Sequence, residues 1–263
     1  MVAIPMAVAT APTVRRSLRA PLVAGIVAAI AWSLQPGVIA ARDWWGDKSL
    51  DAAYYEPLIT QLRSRNRDGQ PVGRLEIPFT KNHWESFFVV ARDVPYVRGW
   101  ERQVDVARNE PLYDGDLTLE EYHDWLVANG VRWVALPDVT LDHAGVIERN
   151  LIEGSQASEV DWLRDVWFND DWRLFEVRDY VPIIDPPGQL VEQGTDYLIV
   201  RTERPATVTI RYRYSEYLTV TGAACITPDP EGWILADLPA AGEYRLAVDP
   251  AGVLLGTASE SCA

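Results

Sequence analysis

The chain has 263 residues, of which 48% are hydrophobic and 24% are charged, so it has enough apolar side chains for a packed core. Its 38 acidic residues outnumber its 24 basic residues, and the formal net charge at pH 7 is −14. A charge of this sign repels the phosphate backbone of nucleic acids, so we expect no nucleic acid as a partner.

A long apolar segment lies close to the N-terminus. Residues 20–41 contain no charged side chain, and Arg15, Arg16 and Arg19 precede them. Since about 20 apolar residues at roughly 1.5 Å per residue cross the ~30 Å hydrocarbon core, we predict a transmembrane helix that contacts the lipid bilayer. The basic flank places residues 1–19 in the cytoplasm and the C-terminal bulk on the extracytoplasmic side of the cell membrane.

Two other interpretations of this segment stay open. The small residues at 38–40 and the sequence at 14–18 suit a cleaved signal peptide of the twin-arginine kind. The apolar residues 1–14 instead suit the end of a preceding membrane helix, and the arginines would then form a cytoplasmic loop. Each interpretation exports most of the chain.

The region after this segment mixes helical and strand patterns. Helical spacing of apolar residues predicts helices, and short apolar runs bounded by turn residues predict strands. Helices are expected at 51–62, from Asn82 onward, at 119–129, 143–152 and 159–167, and strands at 72–77, 131–136 and 172–177. We therefore predict a juxtamembrane linker at 42–70 and an extracytoplasmic α/β domain at 71–184.

Two of these helix starts have the spacing of a capping box, in which the N-cap and N3 residues satisfy each other's backbone amides. Thr118 and Glu121 begin one helix, which is expected to end at Asn129-Gly130. Asn82 and Glu85 have the same spacing, so capping accounts for both residues without any ligand.

The pattern changes after the Asp-Pro-Pro-Gly sequence at 185–188. Helical periodicity ends there, and short alternating strands follow, separated by Gly, Pro and Asp. In the strand predicted at 207–214, Val208 and Ile210 face one side and Thr207 and Thr209 the other. We predict a small all-β sandwich or jelly-roll module at 185–263.

The two cysteines, Cys225 and Cys262, both lie in this module. Export would let them pair, and no catalytic Cys-His pattern accompanies either one, so we predict a disulfide.

The sequence contains no motif of a self-contained enzyme, neither G-x-S-x-G nor a P-loop nor G-x-G-x-x-G. The Asp-Gly-Asp sequence at 114–116 matches a pattern that holds divalent metals, but its central glycine favours a simple turn. His83, His123 and His143 lack metal-ligand spacing. We expect no metal and no cofactor, and whether the chain is part of an enzyme stays open.

Two neighbouring stretches, TKNHWE at 80–85 and RGWERQVD at 98–105, combine aromatic and charged side chains. One interpretation is a helix with internal ion pairs, which would bury Trp100 and Val104 together. The other is a binding surface, where Trp100 stacks on a sugar ring or lipid headgroup and Arg102 pairs with an anion. The candidate ligand-binding residues are His83, Trp84, Arg98, Trp100, Glu101, Arg102 and Asp105.

Several stretches together resemble a known family: RLEIPFTKNHWESFFVV, VRGWERQVD, LEEYHDWL, VRWVALPD and VWFNDDWRLFEV, which cover about residues 44–181. They resemble the C-terminal extracytoplasmic region of actinobacterial multispanning integral membrane proteins that are similar to GT-C glycosyltransferases. The resemblance implies a last membrane helix that leads into an extracytoplasmic α/β domain. In such enzymes the catalytic acid lies in an early loop between membrane helices, which this chain does not contain, so no catalytic residue is transferred.

Topology and resemblance together predict a membrane-anchored extracytoplasmic domain, the terminal part of a polytopic glycosyltransferase-like protein of the cell envelope, which binds a lipid-linked sugar or cell-wall glycan. The alternative is a structural or assembly domain of a transporter-like membrane complex with no ligand of its own. Other membrane helices or subunits are expected partners under both hypotheses.

Overall fold

The computed structural model describes residues 16–65, 72–154 and 160–256, and the chain forms two compact units. The first unit, Met1–Asp47, contains helix α1 (Arg16–Trp44). Within it, Ala20–Ile39 is long and apolar enough to cross a membrane, with a mean hydropathy of 1.8 and no buried residues. The predicted apolar helix is therefore confirmed, whereas Arg15 lies outside the described residues.

The second unit, Lys48–Ala263, begins with a 3₁₀ turn and helix α2 (Ala52–Ser64), which Asp51 caps by accepting a hydrogen bond from the Ala53 amide. A four-stranded sheet follows, made of β1 (Arg74–Glu76), β2 (Val131–Pro137), β3 (Leu163–Phe168) and β4 (Trp172–Val177). Its order is β1-β2-β4-β3; β1 and β2 are parallel, and the other pairs are antiparallel. The region is thus a mixture of helices and strands, as predicted.

In the described residues, the connections between these strands contain four α-helices: α3 (Glu85–Phe88), α4 (Arg102–Arg108), α5 (Leu119–Ala128) and α6 (His143–Glu153). The capping box of Thr118 and Glu121 at the start of α5 is confirmed. Helix α5 ends beside Gly130, whose φ of 66° favours glycine, as the sequence predicts.

The helix predicted at 159–167 is wrong, because most of this stretch is strand β3. Residues 155–159 lie outside the described residues. The local reason is a hairpin: Asn169 accepts hydrogen bonds from the amides of Asp171 and Trp172, and this turn pairs β3 with β4. Turn chemistry therefore overrides the helical spacing of the apolar residues.

The helix predicted from Asn82 begins three residues later, and the Asn82–Glu85 capping box is wrong. Trp84 occupies the N-cap position without a side-chain cap. The Glu85 carboxylate instead accepts hydrogen bonds from the Thr80 amide at 3.0 Å and the Thr80 hydroxyl at 2.6 Å.

The remainder of the second unit contains antiparallel sheets with sandwich-like packing. One sheet has the order β7-β10-β9 and the other β5-β6-β11-β8, and their apolar side chains share a buried cluster that includes Val200, Ile210 and Leu246. The strands are β5 (Gln189–Gln193), β6 (Tyr197–Thr202), β7 (Ala206–Arg213), β8 (Leu218–Val220), β9 (Cys225–Pro228), β10 (Trp233–Leu238) and β11 (Gly242–Val248), and helix α7 (Pro250–Leu255) follows. The sandwich prediction holds in this form, and the jelly roll stays a prediction.

Cys225 begins strand β9 and is disulfide-bonded. Its predicted partner, Cys262, lies outside the described residues.

Candidate ligand-binding surface and its buried support

The two stretches selected from the sequence meet at one edge of the first sheet. Leu75 of β1 forms a parallel bridge with Tyr96: its amide donates to the Pro95 carbonyl at 2.7 Å, and its carbonyl accepts from the Val97 amide at 3.1 Å. Both segments run in the same direction, so Glu76, which follows Leu75, and Arg98, which follows Val97, come together at this edge, with 3.4 Å between Arg98 Nη1 and Glu76 Oε1.

Arg98 is fully buried at this edge and contacts three carboxylates. Its Nη1 lies 2.6 Å from Glu148 Oε1 and 3.4 Å from Glu76 Oε1, and its Nη2 lies 2.9 Å from Asp105 Oδ2. The guanidinium also lies 3.6 Å from the centre of the Phe79 ring. These contacts compensate for the high cost of removing a guanidinium from water. We call Arg98, Glu76, Glu148 and Asp105 the buried ion network.

The two glutamates of the buried ion network form a carboxyl pair. Both carboxyl groups are fully buried beside the one guanidinium of Arg98, and burial raises the pKa of each, which favours a proton on one of them. Burial, followed by the neighbouring Glu148 charge, raises the pKa of Glu76 well above its ordinary value. Glu148 is the closer of the two to Arg98, so we assign the proton to Glu76 and the negative charge to Glu148.

Asp105 connects the buried ion network to α4 and α5. The Tyr113 hydroxyl donates to Asp105 Oδ2 at 2.6 Å, and the Asn109 amide donates to Oδ1 at 3.0 Å. Trp125 in turn donates its indole N–H to Asn109 at 3.2 Å. The interpretation of RGWERQVD as a helix with internal ion pairs is therefore wrong. Helix α4 begins only at Arg102, so Arg98 lies outside it and pairs mainly with other elements.

A second cluster, formed by His83, Asp142 and Arg102, lies beside the buried ion network. His83 Nε2 lies 3.1 Å from Asp142 Oδ2, and Arg102 donates to the same oxygen atom. The Phe79 ring stacks on the His83 imidazole at 4.1 Å between centroids, so Phe79 separates this cluster from Arg98.

Backbone conformation, helix capping and a close helix approach hold His83 and Asp142 in place. His83 has a φ of 58°, in the left-handed region that non-glycine residues rarely adopt. Asp142 is the N-cap of α6 and accepts from the Gly145 amide at 3.0 Å. A Cβ at Gly145 would lie 2.5 Å from the Phe79 carbonyl oxygen, so only glycine permits this approach of α6.

The pKa values of two carboxyl groups here move in opposite directions. Burial alone would raise the pKa of Asp142, but hydrogen bonds from His83 and the Gly145 amide and the charge of Arg102 outweigh it and lower the pKa. For Glu85, burial dominates and raises the pKa to about 7 despite its two bonds from Thr80.

An aromatic surface adjoins these clusters. Trp100 is 47% exposed, and its ring meets Trp84 edge to face at a centroid distance of 4.8 Å. Trp84 also contacts Phe87, which is 54% exposed. The Arg102 side chain is 49% exposed although Asp142 holds it. We call Trp84, Phe87, Trp100 and Arg102 the aromatic–arginine surface.

The structure thus separates the seven candidate residues. Arg98 and Asp105 belong to the buried ion network, and the buried His83 supports Arg102 through Asp142. Trp84, Trp100 and Arg102 lie on the aromatic–arginine surface, whereas Glu101 is exposed at the N-cap position of α4 without capping it through its side chain. The expectation that Trp100 and Val104 would be buried is wrong, because both are exposed.

Sequence reasoning missed three important residues: Glu76, Asp142 and Glu148. Glu148 had a detectable signal, since it lies four residues after Ala144 and four before Ile152, two buried residues of α6. A glutamate on the apolar face of a helix requires a buried partner. The sequence also contained a signal for Asp142, since an Asp before an amphipathic helix predicts an N-cap.

The remaining candidates from the sequence lie elsewhere. The Asp-Gly-Asp sequence at 114–116 forms an exposed turn, in agreement with the simpler interpretation. His123 pairs with Asp179 and stacks on Trp162, and His143 is exposed at the start of α6. In the described ranges, no group of three or more His, Cys, Asp or Glu residues is placed to hold a metal ion.

The arrangement favours binding over proton transfer. Glu76, Glu85 and Glu148 have raised pKa values, but all three are fully buried, so they do not reach a molecule in solvent. The aromatic–arginine surface offers exposed ring faces and guanidinium N–H groups in fixed positions.

No family model, curated protein or solved structure matches this chain.

Proposed function

We propose that this chain is a membrane-anchored extracytoplasmic domain that binds a sugar, carried by a lipid-linked glycan or by the cell wall, on the aromatic–arginine surface. The observation that supports it is Trp100, which is half exposed yet held by the edge of Trp84, two residues before Arg102. As part of the same proposal, the chain serves as the terminal part of a polytopic glycosyltransferase-like protein.

The chemistry of sugars matches this surface. A pyranose ring has an apolar face that packs against an aromatic ring, and its hydroxyl groups accept hydrogen bonds from a guanidinium. Trp100 and Arg102 are fixed by Trp84 and Asp142 before any ligand arrives. Such preorganisation lowers the entropy cost of binding.

The apolar helix α1 supports the proposed anchoring of this chain in a membrane. Ala20–Ile39 has the length and hydropathy of a membrane span, and arginines precede it in the sequence. A reporter fused after Ala263 tests the orientation: alkaline phosphatase should be active there and a cytoplasmic fluorescent reporter should not. The reverse pattern would contradict the orientation.

The binding test uses the full chain in detergent micelles and a panel of purified bacterial cell-wall oligosaccharides. Trp100→Ala should reduce the affinity for the bound oligosaccharide at least tenfold. Phe168→Ala is a matched control, because Phe168 is an exposed aromatic residue on β3, outside the surface. Failure of the wild-type chain to bind any member of the panel would refute the glycan proposal and favour the assembly role.

A further inference from the structure

A cavity of about 570 Å³ lies beside Trp100, between α4 and the strands β7 and β10. Its volume falls in the range of about 300–1,000 Å³ that is typical of small-molecule sites. The wall includes Trp100, Tyr212 and Trp233, and five arginines contribute to it, although the whole chain is acidic.

Two of these arginines are neutralised by carboxylates. Arg98 belongs to the buried ion network, and Arg211 donates to Asp185 at 2.5 Å. The other three are Arg74, Arg108 and Arg213. Within the part of the chain that the structure describes, no carboxylate forms an ion pair with any of them.

Arg74 is buried on β1 and held rigidly. Its Nη1 donates to the Asn129 carbonyl at 2.7 Å, and its guanidinium lies 4.4 Å from the centre of the Tyr212 ring. Its Nε is buried and has no hydrogen-bond partner among the described residues. An unmet N–H donor on a buried cation is costly, and no carboxylate in the described residues balances the charge that Arg74 brings to the wall of the cavity.

Arg213 and Arg108 approach the same space. Arg213 stacks on Trp233 at 3.6 Å and donates to the Glu231 carbonyl at 2.7 Å, which fixes the plane of its guanidinium. Burial and the charges of Arg108 and Arg74 lower the pKa of Arg213, although Asp229 and Glu231 oppose this effect. Arg108 occupies the last turn of α4 and is exposed. The charges of Arg74 and Arg108 therefore lie close enough to Arg213 to repel its charge.

We propose that this cavity binds the phosphate group of a small molecule through Arg74, Arg108 and Arg213. Guanidinium groups with free N–H edges bind phosphate oxygens in pairs, and the anion would relieve the repulsion among the arginines. The net charge of −14 disfavours a polyanion, so the ligand is small. The cavity shares Trp100 with the aromatic–arginine surface, but its three unpaired arginines and Trp233 do not belong to that surface, so replacing these arginines leaves the proposed glycan contacts in place.

Calorimetric titration of inorganic phosphate into the full chain, in neutral detergent at fixed ionic strength, tests the site. Arg108→Gln and Arg213→Gln should each weaken phosphate binding at least fivefold. Arg178→Gln is the matched control, because it removes an equal charge from an exposed position outside the cavity. Glu101→Gln should strengthen binding, since Glu101 places a negative charge on the wall.

Absence of phosphate binding to the wild-type chain, or equal weakening by Arg108→Gln and Arg178→Gln, would overturn the site. A second arm adds short-chain phosphatidic acid as a competitor. Displacement of phosphate would identify a lipid headgroup as the source of the phosphate group, and no displacement would identify a soluble compound; both outcomes support the site. Because the probe contains no sugar, failure here leaves the glycan proposal intact.

Discussion

Arg98 and Arg102 lie four residues apart and have opposite environments. The Arg98 side chain is fully buried against Glu76, Asp105 and Glu148, whereas the Arg102 side chain is half exposed and pairs with Asp142. The segment changes from scaffold to surface because Arg98 ends the extended stretch beside β1 and Arg102 begins α4. Residue type and spacing alone therefore do not assign a role; the elements packed around each side chain do.

The largest expected effect is the loss of stability on replacing Arg98, the buried arginine of this comparison. Arg98→Met leaves the carboxylates of the buried ion network without a cation, and loss of one partner from a buried pair costs about 3–5 kcal/mol. Urea unfolding monitored by tryptophan fluorescence measures the loss. Arg102→Met, the matched substitution, should cost about 1 kcal/mol or less, since the Arg102 side chain is half exposed and Asp142 keeps its hydrogen bonds with His83 and the Gly145 amide. Equal losses would remove the distinction between the two arginines.

The next largest effect is the pH dependence of stability that Glu85 produces. Its pKa is about 7 in the folded chain against an ordinary value of 4.5. Between these values the folded state holds more protons than the unfolded state, so the free energy of unfolding falls as pH rises, by up to about 3 kcal/mol. Glu85→Gln retains an acceptor for the Thr80 amide and should abolish this decline. Its stability relative to wild type should therefore rise from pH 4 to pH 8.

Urea unfolding at a series of pH values measures this difference. Glu101→Gln, at an exposed carboxyl, is the control and should not reproduce the rise. A constant difference between Glu85→Gln and wild type across the pH range would contradict the raised pKa of Glu85.

A third prediction concerns Asp142, the ion-pair partner of the half-exposed Arg102. Asp142→Ala removes the N-cap of α6 and the partner of both His83 and Arg102, so it should cost about 1–2 kcal/mol. Because the folded state lowers the pKa of Asp142, its contribution is present above the unfolded pKa and is lost as pH falls through the folded pKa. Urea unfolding at the same series of pH values measures both the stability loss of Asp142→Ala and its pH dependence. The Asp142 contribution is lost as pH falls, whereas the Glu85 contribution is lost as pH rises.

Features with local causes could be predicted from the sequence. The capping box of Thr118 and Glu121, the end of α5 at Gly130 and strand β4 depend on neighbouring residues, and all were found. Strand β3 was missed because its hairpin turn, made by the Asn169 side chain, outweighs helical spacing.

The candidate site was harder to predict because its contacts are distant in the sequence. Arg98 and Glu148 are 50 residues apart, and Arg102 and Asp142 are 40 apart. A single sequence shows that charged residues are present near Trp100, but not which of them meet. His83 also has a left-handed backbone and stacks on Phe79, and no pattern in the local sequence shows either feature.

Trp100→Ala is also expected to have a small effect on stability, and it tests the central claim, that one short segment combines a buried scaffold with an exposed binding surface. An edge-to-face aromatic contact contributes about 0.5–1.5 kcal/mol, so Trp100→Ala should remain folded. Oligosaccharide binding and urea unfolding, measured on the same preparation of this variant, give the direct test. The account predicts at least a tenfold loss of affinity with stability within about 1.5 kcal/mol of wild type. Unchanged affinity in a folded Trp100→Ala chain would contradict it.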